Sequence, residues 1–174
     1  MKKVLFCVVA LLFAITVSAQ TDAEMQASKE RTAKLEKLMQ PKDCGCANID
    51  ALTSAAGKIA TESIQITPLL QSYYFHSKGQ TEAGVADASV KMPKLADLQA
   101  LGLRIKNQVT ATTAVSKLLP AAGEDLAAIR NPLKLKAPTK SIKYAKDVLT
   151  IVGEESVAQG KAVAALIKTV TAKK

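Results

Sequence analysis

The chain reads as an all-α protein, an up-down bundle of four main helices with kinks at Pro68 and Pro120, and three observations predict it. Alanine is the commonest residue, with 29 positions, and aromatic residues make up only 3% of the chain. Alanine has the highest intrinsic helix propensity and is depleted in strands, so a core rich in methyl groups and poor in rings favours closely packed helices. Long stretches also place apolar residues at alternating spacings of three and four, the signature of one buried helix face.

Residues 1–19 have the form of a secretory signal peptide. Lys2 and Lys3 precede an apolar run from Val4 to Val17, and small residues at Val17-Ser18-Ala19 precede Gln20. The run is shorter than the roughly 18–20 residues that cross a hydrocarbon core. Cys7 follows bulky Phe6, unlike a lipid-attachment cysteine. The expected product is therefore exported, periplasmic or extracellular, with one helical domain over residues 20–174. The formal net charge of +9 falls to +7 when Lys2 and Lys3 leave with the leader. A basic balance of this size argues for encounter with anionic lipid or envelope polymer without identifying either.

From Ala23 to Gln40 a polar, helix-prone segment carries Met25, Ser28, Thr32, Leu35 and Met39 on one face. Lys34 and Lys37 in its last turn suit the helix dipole. So sparse a stripe predicts a weakly docked helix. The next helix, about Ile49 to Ser77, has the clearest seam: Ile49, Leu52, Ala56, Ile59, Ser63, Ile66, Leu70 and Tyr73. This heptad-like repeat is the geometry of helices crossing at about 20°. Asn48 is placed as its N-cap, and Pro68, which removes one backbone bond, is expected to kink it.

Residues 78–92, with Gly79 and Gly84, form a long connection in which a weak helical turn is expected near Thr81 to Ser89. A third helix opens at Pro93 and buries Leu95, Leu98, Leu101, Ile105, Val109, Thr112, Val115 and Leu119, until Pro120 and Gly123 interrupt it. Glu124 to Asn131 continues as a bent extension or a separate short helix. With Pro132 and Pro138, residues 131–139 are expected to run extended. The final helix spans about Lys140 to Ala172, with Ile142, Ala145, Leu149, Val152, Ser156, Val163, Leu166 and Val170 inward and Gly153 to Gly160 its weakest part.

Three clusters are candidates for function. Cys44-Gly45-Cys46 holds the only cysteines outside the leader. An oxidising compartment favours a disulfide, either local across the turn, intermolecular or redox-active. A bridge between residues two apart removes little unfolded-state entropy, which makes it a poor staple. A metal site needs more ligands, and the sole histidine, His76, lies one long helix away, so no metal or cofactor is expected.

Tyr73-Tyr74-Phe75-His76 gathers three of the four aromatic residues outside the leader. Consecutive helical residues point around the whole axis, so the cluster either offers a ring to a protein partner or plugs the end of the bundle. The third cluster is Arg130, Lys134, Lys136, Lys140, Lys143 and Lys146, a run with no acid between its ends and with Leu133, Leu135, Ile142 and Tyr144 interleaved. It suits an anionic membrane or envelope polymer, or is simply a solvated basic strip.

Enzyme signatures are sparse. The glycines at Gly153 and Gly160 are too far apart for a phosphate loop, and Ala162 follows Lys161 where a hydroxyl is needed. No Glu-x-x-His pair occurs for a di-iron site, and Glu154-Glu155 is expected to face water. The chain reads as an exported, non-enzymatic binding or structural module of a bacterial envelope, whose partner is an unspecified protein or envelope component. Binding of an anionic surface through 130–146 and thiol redox chemistry at Cys44 and Cys46 are the alternatives. No nucleic-acid-binding motif appears.

Overall fold

The computed structural model describes residues 22–172, and within them the chain is all-α. The expected leader lies outside the described residues. Helix α1 spans Asp22–Lys37, α2 Ala47–Ser77, α3 Leu95–Ser116, α4 Leu119–Ala128 and α5 Lys136–Ala172, with a 3₁₀ turn at Pro132–Lys134. Among the described residues no helix is long and apolar enough to cross a membrane.

The apolar seams converge on two clusters. The first joins Leu35 of α1, Ile49 to Ala60 of α2, Val115 of α3, Ala122 of α4 and Ile142 to Val152 of α5. The second joins Met25, Ile66 to Tyr74, Leu98 to Ile105 and Ala162 to Val170. Successive long helices thus enter the two clusters in opposite order, as an up-and-down bundle would. The heptad seam of α2 is buried as expected down to Leu70, after which Tyr74 turns inward in place of Tyr73.

Between the clusters lies a layer of buried polar residues. Ser28, Ser63, Thr67, Gln108, Glu155, Ser156 and Gln159 come from all four long helices, and none is more than 3% exposed. The expectation that Glu155 faces water is therefore corrected: its side chain is fully buried, and only Glu154 is exposed. Residues 153–160, expected to be the weakest part of α5, are continuous helix and carry three members of this layer.

Prolines act here mainly through position. α2 continues as helix through Pro68. At Pro120 the chain is jointed: a turn at Lys117-Leu118 ends α3, and Pro120 stands in the first turn of α4, where its missing N–H is not needed. The same reason corrects the extended reading of 131–139. Asn131 caps the 3₁₀ turn by accepting from Leu133 N at 3.0 Å, and α5 starts at Lys136 with Pro138 in its opening turn. Thr139 N–H reaches Leu135 O at 3.0 Å.

Residues 80–89 form no helical turn. Gln80 and Ala86 make an isolated antiparallel bridge, held by Thr81 N to Val85 O at 2.8 Å. Gly79 and Gly84 supply the positive φ values, +69° and +77°, that this tight knuckle requires.

Residues 38–46 form a strap. Gln40 sits on the surface left bare by Gly57, where any side chain would collide with it. From there the segment returns to the start of α2, ten residues or about 15 Å along the helix axis. Leu38, Cys44 and Cys46 pack against the first cluster, so the strap closes the part of the core that short α1 does not reach.

Candidate functional site

The Cys44-Gly45-Cys46 turn is organised by Asp50. Its carboxylate accepts Cys44 N–H at 2.8 Å on one oxygen and Gly45 N–H at 2.9 Å on the other. Gly45 is left-handed, with φ +82°, which lets the two donors converge on one carboxylate. These bonds, led by that from the Cys44 backbone, hold Asp50 below its usual carboxylate range.

Cys46 occupies the N-cap of α2, a place expected for Asn48, and offers no side-chain cap. Asn48 instead donates from its backbone N and its Nδ2 to the Asp125 carboxylate, both at 3.0 Å. An acid on α4 thereby satisfies a free N–H of the first turn of α2.

Both cysteines are free thiols in this structure, so the expected local disulfide is not formed. Burial, then the neighbouring Asp50, pushes the Cys44 thiol up to about 11. A thiol so placed is a weak nucleophile at neutral pH. Among the described residues no group of three or more metal-ligating side chains converges.

At the other end of α2 the aromatic cluster is built inward. Tyr74 is 7% exposed, and its hydroxyl donates to Asp22 Oδ1 at 3.3 Å and accepts from Lys78 Nζ. Phe75 packs edge-on to it, with centroids 5.6 Å apart, and lies against Gly84 of the knuckle. Tyr73 and Phe75 are half-buried against the second cluster, and His76 is half-buried as well. Tyr74 is thus the buried ring of the cluster, while Tyr73, Phe75 and His76 stay partly exposed.

The basic cluster is arranged differently. Arg130, Lys134, Lys136, Lys140, Lys143 and Lys146 are all exposed, and none forms an ion pair among the described residues. Lys136, Lys140 and Lys143 share one face of α5 by their i, i+4, i+7 spacing. Ile142 and Tyr144, which the sequence interleaves with the lysines, point into the first cluster at 8% and 7% exposure. Leu133, at the apex of the capped 3₁₀ turn, is 89% exposed. Leu133 is thus the projecting apolar side chain of this surface, and Leu135 is partly exposed beside it in sequence.

The buried polar layer was not anticipated as a site. Glu155 Oε1 accepts from Ser28 Oγ and from Thr67 Oγ1 at 2.8 Å, and its Oε2 pairs with Arg31 Nε at 2.7 Å. Gln108 Nε2 donates to Ser156 Oγ at 2.7 Å and Gln159 Oε1 at 2.9 Å, and Gln159 Nε2 donates to Thr67 Oγ1 at 3.0 Å. Only Ser63 Oγ and Gln108 Oε1 are without a partner within this layer. The sequence signal was present: Ser28, Ser63 and Ser156 interrupt apolar stripes near mid-helix.

No protein-family model matches the chain, and neither a curated protein nor a solved structure matches it.

Proposed function

We propose that the protein is an exported, non-enzymatic helical module that docks on an anionic membrane surface through the start of α5. One observation carries the reading: between residues 130 and 146 six exposed cations, none in an ion pair among the described residues, accompany the projecting Leu133. Each lysine or arginine held near an anionic lipid surface contributes about 1 kcal/mol, so a cluster of this size suffices for reversible attachment. Leu133 favours lipid over polysaccharide, because a projecting apolar side chain gains free energy only where it can leave water. Preordering by the Asn131 cap reduces the entropy lost on docking.

Sedimentation with vesicles tests this. Mature protein is expected to pellet with phosphatidylglycerol-containing vesicles at low salt, to dissociate as salt rises, and to ignore phosphatidylcholine vesicles. Changing Lys136, Lys140 and Lys143 to glutamate should abolish pelleting, and Leu133→Ser should weaken it at every salt concentration. Absence of binding at low salt, or binding that the triple variant retains, overturns the proposal. Retention on cell-wall polymer alone would move the partner to that class.

A further inference from the structure

We propose that the seam between α1 and α5 binds a small zwitterion, an α-amino acid with a short aliphatic side chain, whose carboxylate meets Arg31 and Lys161 and whose ammonium meets Glu154. A cavity of about 210 Å³ opens there, with Arg31 on α1 facing Glu154 and Lys161 on α5. That is below the roughly 300 Å³ at which drug-sized pockets begin, which limits the occupant to a small molecule. Val157, Ala158 and Ala162 supply short apolar walls that match an aliphatic side chain.

Arg31 is what distinguishes this cavity from an ordinary surface groove. Its Nε is fixed to Glu155 Oε2 at 2.7 Å, and Glu155 is in turn held by Ser28 and Thr67. The side chain is 19% exposed, and its terminal nitrogens donate to no described residue. A guanidinium anchored through one edge presents the other with little rotamer entropy left to lose, and this edge suits a carboxylate. Glu155 already balances the charge of Arg31, so Lys161 and Glu154 leave one charge of each sign on the wall. Such a balance disfavours a dianion and selects a ligand carrying both charges.

Titration calorimetry and amide NMR with L-alanine and L-valine test the assignment, with acetate, methylammonium and inorganic phosphate as comparators. The amino acids are expected to bind and to shift amides of residues 154–162. Acetate and methylammonium should each bind about tenfold more weakly, having lost one charged contact. Lys161→Gln and Glu154→Gln should each weaken valine by about tenfold, and as exposed positions they leave the fold intact. Arg31→Lys should weaken it too, with the fold monitored by the same spectra. No amino-acid binding, binding unchanged in both exposed-site variants, or preference for phosphate overturns the proposal. None of these outcomes depends on membrane attachment.

Discussion

Glu155 shows how much one side chain can be asked to do. A carboxylate taken wholly out of water is tolerable only with near-complete hydrogen bonding, and Arg31, Ser28 and Thr67 provide it. Glu155→Ala is expected to cost about 3–5 kcal/mol in urea unfolding, because it leaves Arg31 and two hydroxyls unsatisfied. Arg104→Ala is the contrast, since Arg104 and Glu62 are 38% and 36% exposed, and should change stability by about 1 kcal/mol or less. Asp50 is the second informative residue. Its carboxyl is depressed below 3.8, so its contribution is present above that pH and is lost as pH falls through the lower folded value. Asp50→Asn should remove this part of the acid transition. It should also bring the midpoint for Cys44 alkylation down from about 11, since the carboxylate helps to keep that thiol protonated. Sequence reasoning placed the cap at Asn48 because asparagine is a good N-cap. It could not see that Asp125, 77 residues away, would engage Asn48 and leave Asp50 to tie down the turn.

At the scale of elements, the sparse stripe of α1 makes it the long helix expected to open first. Met25 and Leu35 are its buried apolar side chains, each contributing about 1.5–3 kcal/mol, and Ser28 and Thr32 fill the positions between them. Hydrogen exchange should therefore release α1 amides before those of α2 and α5, and Glu155→Gln, which removes the charge facing Arg31, should widen the gap. The existence and burial of the long helices were legible because their seams are long and regular. Their ends were less so. Pro138 argued for an extended chain, yet a proline within the first helical turn sacrifices no bond, and whether a proline ends a helix or begins one depends on where the helix starts. The strap over Gly57 was equally hidden, because nothing in the sequence pairs Gln40 with that glycine.

Across the whole molecule the division of labour follows charge and burial. One end of α2 carries the Tyr74–Phe75 ring pair, the other is tied to α4 through Asn48 and Asp125, and the exposed cations lie along residues 130–146. Composition and periodicity made the all-α class and the basic strip visible. They placed Ile142 inward, where it is buried, but not Tyr144, which also packs into the first cluster although lysines flank it in sequence. The interrupting serines were visible but not their meaning: each helix contributes only one to three members of the polar layer, which forms when four helices meet.

That layer has a consequence for how the helices find their alignment. Apolar seams alone are permissive, since a helix displaced by one heptad, about 10 Å, would still bury leucine against leucine. Here such a slide would press Glu155 and Gln159 against a mainly apolar cluster and strand Arg31 and Gln108. The polar layer therefore acts as a ruler set across the middle of the bundle, allowing one axial registration and penalising its neighbours.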